Sequence, residues 1–202
     1  MKKLTQKEVW NQIARPWKEY REKEIPEIRE FLKGKKGKLL DLGCGSGRNF
    51  VKQAGLKIYG VDFSSEMLKL AEASARERKI NVRLEEASAE KLPFVDGFFD
   101  FSIYIAALHC LESEKSRKKS LEELYRVLKK KGQAMIRVWS RNQERVKNLE
   151  KDSYVPWTRD GKKFMRYYYI YDKDELENLL KKIGFKILKS WEDKNIYVIV
   201  EK

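Results

Sequence analysis

Apolar and polar positions follow two different periods along the chain, and the changes of period divide it into short elements. Strands are predicted where a short apolar or alternating run is bounded by polar residues or glycine. Five such runs are K-L-L-D-L at 38–42, K-I-Y-G-V-D at 57–62, V-R-L-E-E at 82–86, F-D-F-S-I-Y-I-A-A-L at 99–108 and A-M-I-R-V-W at 134–139. Helices are predicted at 46–54, 64–78, 113–130 and 172–183. This alternation predicts an α/β fold with a doubly wound, Rossmann-like, mostly parallel sheet.

The chain closes with two alternating runs that have no helix between them. They are F-K-I-L-K-S-W at 185–191 and N-I-Y-V-I-V-E at 195–201, joined by a short polar turn. Such a pair predicts a hairpin, which adds one antiparallel strand to the sheet and makes seven strands in all. Gly184 is the predicted C-cap of the helix before this hairpin.

The first 36 residues predict an N-terminal helical cap. Residues 5–32 show helical spacing, and Pro16 and Pro26 are expected to break or kink the helix. The apolar positions that carry this spacing are Val9, Ile13 and Trp17.

The segment 155–171 combines aromatic and basic residues without a clear helical or strand period. It predicts a connection between the fifth strand and the next helix, within a substrate-side insertion at 140–171. We expect 1–202 to form a single domain.

Composition adds an expected compartment and an expected partner. No apolar run approaches the roughly 18 residues that a membrane span requires. Cys44 and Cys110 show neither metal-ligand spacing nor a disulfide framework, so we expect a soluble, cytoplasmic protein with no metal site. A surface rich in Lys and Glu, as in heat-adapted proteins, would explain the 38% of charged residues but not the net charge of +14. This excess of cations favours a polyanionic partner such as nucleic acid.

The run L-L-D-L-G-C-G-S-G at 39–47 is the strongest chemical motif. Glycines allow a ligand to approach the backbone, and a helix that begins there would direct free N–H groups at an anion. Asp62 ends the next strand, where a carboxylate can accept both hydroxyl groups of a ribose. A tight turn without a ligand, and a helix-capping Asp62, are the structural alternatives.

Two cofactor classes compete for this motif. Nicotinamide oxidoreductases use G-x-G-x-x-G, whereas this chain has G-x-G-x-G with Asp41 two residues earlier. The loop is followed by A-E-K-L-P-F at 89–94, F-F-D-F-S-I at 98–103 and L-E-E-L-Y-R-V-L-K-K-K-G at 121–132. Together these runs resemble the class I S-adenosylmethionine-dependent methyltransferases, whose fold has the same reversed last strand.

This resemblance implies S-adenosylmethionine as the cofactor and a role for each candidate residue. Asp41 would organise the loop near the methionine amino group, Asp62 would hold the ribose, and Phe63 would lie against the adenine. Ser88 stands where the family often has an aspartate that accepts from the adenine amino group, so the backbone of Ala89 is expected to contribute. The other predicted cofactor-binding residues are Gly43, Gly45, Gly47, Ile105, Trp10 and Arg21; packing alone would equally explain the tryptophan.

Further runs narrow the resemblance. They are E-V-W-N-Q-I-A-R-P-W-K-E-Y-R, I-A-A-L-H-C-L, I-R-V-W-S-R-N-Q-E, V-P-W and R-Y-Y-Y-I-Y-D-K-D-E-L, in this order. Together they resemble the tRNA methyltransferases that act on 5-carboxymethyluridine at the wobble position. The chain departs from that family at Cys110 and Tyr169, where the family tends to have histidine.

The family resemblance implies a substrate, partners and further site residues. The substrate would be the anticodon loop of tRNA, and a small zinc-binding subunit would act as activator. His109 would orient the substrate, Arg137 would pair with a carboxylate of protein or substrate, and Arg166 would bind phosphate or the uridine carboxylate. The predicted substrate-binding residues are Trp157, Arg159, Tyr167 and Tyr168, which would stack on bases or contact phosphates.

The chemistry of methyl-ester formation agrees with the residues. A carboxylate is ionised at neutral pH, so its methylation requires no strong general base. The chain has one histidine and no nucleophile–base pair. A small-molecule methyltransferase resembling those of quinone biosynthesis, and a non-catalytic cofactor-binding module that interacts with RNA, remain the alternatives.

Overall fold

The computed structural model describes residues 4–21 and 23–202. The strands are β1 (Gly37–Leu42), β2 (Leu56–Asp62), β3 (Val82–Glu86), β4 (Phe99–Ile105), β5 (Leu128–Trp139), β6 (Asp152–Arg159), β7 (Lys162–Tyr169), β8 (Lys186–Glu192) and β9 (Asn195–Glu201). The helices are α1 (Gln6–Tyr20), α2 (Pro26–Leu32), α3 (Ser65–Glu77), α4 (Glu114–Val127) and α5 (Lys173–Ile183).

Seven strands form one sheet in the order β3-β2-β1-β4-β5-β9-β8. The first five are parallel to one another, and β9 runs antiparallel to both of its neighbours. This arrangement confirms the predicted α/β fold, its seven strands and the reversed strand of the C-terminal hairpin. Gly184 ends α5 in the left-handed conformation, as predicted.

The sheet is covered on both faces because its central strands are apolar on both sides. In β1, Leu40 and Leu42 belong to the cluster that includes Leu121 of α4. Leu39, the residue before Leu40, belongs to the opposite cluster with Ile28 of α2. Successive side chains of a strand point to opposite faces, so three buried leucines in one short run require two layers of helices.

Helix α1 continues through Pro16, so of the predicted break or kink at this residue, a break is wrong. The helix begins with a capping box between Thr5 and Glu8 and buries an apolar stripe beyond it. Proline removes only the hydrogen bond to the carbonyl of Gln12, an exposed residue, which leaves that carbonyl open to water. Pro26, by contrast, begins α2, where its missing N–H is not needed.

The helix predicted at 46–54 does not form. Gly47 has a φ of +76°, which is left-handed and interrupts helical geometry. The Arg78 guanidinium, at the end of α3, donates hydrogen bonds to the carbonyl oxygens of Gly47, Arg48 and Phe50. These bonds replace the ones that a helix would have made.

The segment 155–171 is largely a β-hairpin, so the prediction of an irregular connection is wrong. Strands β6 and β7 pair in antiparallel register, with Trp157 opposite Phe164. Tyr167 and Tyr169 pack into one apolar cluster and Tyr168 into another. Because both faces of β7 are buried there, its sequence lacks the alternation by which a half-buried strand is recognised.

None of the helices in the described ranges has the length and apolar character that crossing a membrane requires.

Candidate active site

A cavity of about 360 Å³ opens at the carboxyl ends of β1, β2 and β4 and beneath α1. This edge is where doubly wound sheets bind their ligands. Nine of the eleven residues predicted to bind the cofactor line it: Trp10, Arg21, Gly43, Gly45, Asp62, Phe63, Ser88, Ala89 and Ile105. We call this the donor cavity.

The glycines of the loop lie in three different surroundings. A Cβ at Gly43 would come within 2.3 Å of Ala107, so the loop can pack closely there only without a side chain. A Cβ at Gly47 would meet the ring of Phe50, and this glycine does not line the cavity. A Cβ at Gly45 would meet no atom within 4 Å, and this glycine lines the cavity, so its Cα side is open to a ligand.

Asp62 lies where either of the two roles left open by the sequence could be served. Its carboxylate accepts a hydrogen bond from the Gly45 N–H at 2.8 Å and another from the Ser64 N–H at 2.9 Å, at the start of α3. It also lines the donor cavity. A carboxylate offers about four lone-pair sites, so both oxygens keep capacity for the hydroxyl groups of a ribose. Burial raises the pKa of Asp62 to about 6, although its backbone hydrogen bonds act in the opposite direction.

Asp41 lies beneath the loop rather than in the lining. It is 1% exposed, and neither carboxylate oxygen has a hydrogen-bond partner. Burial raises its pKa to about 7, while the charge of Arg48 lowers it and that of Asp62 raises it. An unpartnered buried carboxylate is costly and is stabilised by a cation. Its chemistry therefore fits the positively charged amino group of a methionine moiety, directly or through water.

Helix α1 is held over the cavity by contacts at two points. The Ser64 hydroxyl donates to the side-chain oxygen of Asn11 at 2.6 Å, and Lys7 forms an ion pair with Glu86 at 2.7 Å. These contacts position Trp10 and Trp17, whose rings meet edge to face at 5.1 Å.

Three residues differ from the family pattern, and two of them, Ser88 and Cys110, line the donor cavity. The side chains of both are hydrogen-bonded to backbone groups. The Ser88 hydroxyl accepts from the Glu90 N–H at 3.2 Å and closes a local turn. The Cys110 thiol donates to the carbonyl of Ala106 at 3.6 Å, and burial raises its pKa. The third such residue, Tyr169, lies outside this lining, with its ring 3.8 Å from the Arg117 guanidinium.

His109 is fully buried and lines no described cavity. Its Nδ1 accepts the Trp139 backbone N–H at 3.0 Å, so the neutral ring carries its proton on Nε2. Burial lowers the pKa of His109 to about 3, and the charge of Arg137 acts in the same direction. The ring lies beside Trp139 and Tyr168, at centroid distances of 5.2 and 5.5 Å. In this structure His109 therefore supports these two rings and does not reach the donor cavity.

Arg137 has no carboxylate partner among the described residues. Its guanidinium lies 5.3 Å from the ring centre of Tyr197, and its buried Nε has no hydrogen-bond partner. The expected pairing with a protein carboxylate is therefore wrong for the part of the chain that the structure describes.

The hairpin places its predicted residues in different surroundings. Arg166 is buried, donates to the Tyr168 hydroxyl at 2.9 Å and stacks near Trp17 and Trp157. Tyr167 and Tyr168 are only 2% and 1% exposed, so the expectation that they stack on RNA bases is wrong for this structure. Arg159 is exposed near the hairpin turn and pairs with Asp160.

Sequence reasoning missed three arginines near the site. Arg48, next to the glycine motif, lines the donor cavity; Arg145 lies in the insertion, and Arg78 holds the loop from behind. The first two could have been suspected, since one adjoins G-S-G and the other follows the fifth strand. Nothing local marks Arg78, because its contacts join residues that are distant in sequence.

Comparisons with known proteins agree with this geometry. Residues 40–136 match the family model described as a methyltransferase domain. A candidate methyltransferase from Encephalitozoon cuniculi is 30% identical over 81% of this chain and 78% of its own length. The tRNA (carboxymethyluridine(34)-5-O)-methyltransferase of Schizosaccharomyces pombe is 27% identical over 96% of this chain and 95% of its own length. The chain spans 37% of the Arabidopsis thaliana protein of the same name, at 32% identity.

The fold is also that of a solved structure. An S-adenosylmethionine-dependent methyltransferase from Methanosarcina mazei matches with a TM-score of 0.73, at 24% identity, over 89% of this chain and 98% of that one. The chain therefore belongs to the class I S-adenosylmethionine-dependent methyltransferases, and its cofactor is S-adenosylmethionine.

Proposed function

We propose that this chain methylates the carboxylate of 5-carboxymethyluridine at the wobble position of tRNA and forms the methyl ester. The Schizosaccharomyces pombe relative, which the chain matches over 95% of its length, is named as a tRNA carboxymethyluridine methyltransferase, and the net charge of +14 suits a nucleic-acid substrate. The same proposal includes RNA binding, a cytoplasmic setting, a cap at 1–36 and a substrate-side insertion at 140–171.

The observation that carries this proposal is a group of arginines without carboxylate partners beside the donor cavity. No ion pair with a carboxylate of the described residues involves any of its members, which are Arg21 and Arg48 in the donor-cavity lining, Arg145 and Arg166 in the lining of a smaller cavity beside it, and Arg137. They lie close enough to repel one another: the pKa of Arg48 is lowered to about 10, first by burial and then by the charges of Arg21 and Arg137. Such a group favours a bound anion, and a guanidinium matches the geometry of a carboxylate.

Each part of the site would have a defined task. When bound, S-adenosylmethionine supplies a methyl group on a positively charged sulfur, which keeps the bonding electron pair as the substrate oxygen takes the methyl. Arg21 and Arg48, which line the donor cavity, would orient the ionised carboxylate toward that methyl group. Trp10 and Trp17 would cover the reacting atoms and exclude water.

The reaction asks no residue to remove a proton. The pKa of His109 lies far below neutrality, so its imidazole is uncharged at neutral pH and takes up a proton only weakly. The pKa of the Cys110 thiol lies well above neutrality, so this group is also unsuited as a base. A carboxylate nucleophile agrees with both values, because it is ionised without assistance.

An assay with two matched substrates tests this proposal. Anticodon stem-loops carrying either 5-carboxymethyluridine or its uncharged carbamoylmethyl analogue are incubated with methyl-labelled cofactor. We expect label only in the carboxylate RNA, lost under mild alkali, and turnover that weakens steeply as salt rises. Alkali-stable label, or equal labelling of the amide, would refute ester formation. Turnover of a small molecule that is insensitive to salt would favour the quinone-type alternative.

The zinc-binding activator subunit stays a prediction from the family resemblance. It is supported if addition of such a subunit raises the activity of the purified chain. Full activity of the chain alone would show that it is dispensable.

A further inference from the structure

A second, smaller cavity of about 150 Å³ adjoins the donor cavity. Trp17 and Arg21 line both, so these two side chains form the shared wall. The rest of the lining comes from α1, the end of β5, the turn region at 141–151 and the hairpin. It comprises Tyr20, Trp139, Arg145, Val146, Leu149, Val155, Trp157 and Arg166. We call this the side cavity.

Aromatic rings form one part of the side cavity. Trp17 and Trp157 meet at a centroid distance of 5.4 Å, and Tyr20 lies 5.5 Å from Trp157. Tyr20 is 60% exposed, although it is a large ring beside other rings. Exposed rings beside a cavity are a common means of binding an unstacked base, since every base has a flat face.

Cations form the other part. Arg166 is 6% exposed, and its Nε has no hydrogen-bond partner. Arg145 lies 4.2 Å from the ring centre of Trp139 and is fixed there by a 2.7 Å hydrogen bond from its Nε to Gln143. The two terminal guanidinium nitrogens of Arg145 have no hydrogen bond to any residue in the described part of the chain, so they can face the polar edge of a ligand. Flat rings and fixed N–H donors together suit a pyrimidine base better than a peptide or a simple anion.

We propose that the side cavity binds the target base itself, turned out of the anticodon stack. This inference rests on the proposed function and adds to it the place where the base is held. The shared wall explains the geometry: a base in the side cavity would extend its carboxymethyl group past Trp17 and Arg21 to the donor cavity. A base that remained stacked in its loop would not enter a recess of this size. Trp157 and Arg145 thus act as substrate-binding residues.

Photo-crosslinking tests where the base lies, whether or not methyl transfer occurs. An anticodon stem-loop with 4-thiouridine at the wobble position is irradiated with the full chain, and the linked peptides are identified by mass spectrometry. We expect adducts in the peptides that contain Trp17 or Trp157. Their yield should fall at least severalfold in Trp157→Leu and be largely retained in Trp157→Phe. Adducts that map outside the side-cavity lining would overturn the proposal.

A second variant covers the case in which Trp157→Leu does not fold. Arg145 is exposed, so Arg145→Met is expected to keep the fold while removing the guanidinium. It should raise KM for the stem-loop about tenfold, which corresponds to about 1.4 kcal/mol. The affinity for the cofactor should stay unchanged. Arg76→Met, an exposed change on α3 away from both cavities, is the matched control. An unchanged KM in Arg145→Met would contradict its role.

The two proposals fail in different ways. If the wild-type chain methylates the carboxylate RNA but its adducts lie elsewhere, only the side-cavity proposal is wrong. If adducts form in the side cavity and no ester is made, only the proposed reaction is wrong.

Discussion

At the scale of single residues, Asp41 is the most unusual group in the molecule. Burial raises its pKa to about 7. In the described part of the chain its carboxylate forms no ion pair and accepts no hydrogen bond that would lower this pKa. Its folded-state pKa is above its ordinary value of 3.8, so the folded protein binds a proton more tightly than the unfolded chain does. Through this group the free energy of unfolding is highest at low pH and declines as pH rises through the folded pKa of about 7.

This titration leads to a prediction for the unliganded protein and for the cofactor. Asp41→Asn should raise the thermal midpoint of the unliganded protein at pH 8, because it removes a buried negative charge. The cost of that charge is about 1.4 kcal/mol for each unit by which burial raises the pKa. The same variant should bind S-adenosylmethionine more weakly. Wild-type affinity should increase from about pH 5.5 to 7, by at most tenfold per unit, as the carboxylate ionises. Scanning calorimetry at pH 8 checks the thermal midpoint, and titration calorimetry between about pH 5.5 and 7 checks the affinity.

Comparison of the pH dependence of cofactor affinity in wild type and in Asp41→Asn provides the control. Asp62, with a pKa near 6, adds a smaller dependence that Asp41→Asn should retain. An identical pH slope in wild type and variant would show that Asp41 does not face the cofactor amino group.

At the scale of elements, the glycine loop is held by a neighbouring helix rather than by a helix of its own. Arg78, at the end of α3, hydrogen-bonds three carbonyl groups of the loop at 47–50. We expect Arg78→Ala to raise KM for S-adenosylmethionine about tenfold, since leaving buried carbonyl groups unsatisfied costs about 1–3 kcal/mol. KM for the RNA should change little.

Arg76→Ala provides the control for this prediction, because Arg76 belongs to the same helix and its side chain pairs with Glu72 at the exposed surface. Arg78→Lys should recover part of the cofactor affinity. Equal increases in KM for cofactor and RNA would indicate general loss of structure instead of a role in positioning the loop.

The strands and most helices could be predicted because their burial is regular. The sheet strands and α3 show periods that local pattern detects, and Ser64 marks the start of α3 as a capping residue. The loop at 46–54 misled the prediction because its hydrogen bonds come from Arg78, about thirty residues away. The hairpin misled it because Tyr167 and Tyr168 pack on opposite faces, so strand alternation is absent.

The residues of the site also fall into a group that the sequence could predict and a group that it could not. Residues of the donor cavity follow the ends of strands, and the order of strands alone brings Gly45, Asp62 and Ile105 together. The arginines come from separate elements, and their convergence depends on how α1 and the hairpin pack. Sequence therefore predicted the nature of the cofactor more completely than the shape of the substrate surface. His109 shows the limit: its place after β4 suggested contact with substrate, whereas packing turned its ring into the core.

At the scale of the whole molecule, two cavities share one wall and arginines collect around it. The donor cavity contains the glycine loop and Asp62, and the side cavity brings aromatic rings and arginines together, as the proposed flat, anionic substrate would require. The excess positive charge of the chain would attract tRNA, while the arginine group would select a base that carries a carboxylate. Fold, site and charge are thus compatible with the proposed reaction.

The most direct measurement of this account is mass spectrometry of wobble nucleosides from tRNA that carries 5-carboxymethyluridine, before and after reaction with the chain and S-adenosylmethionine. The account predicts that this nucleoside gains one methyl group and that mild alkali restores the original. An unchanged wobble nucleoside, with cofactor bound and the methyl group absent or placed on another nucleoside, would contradict it.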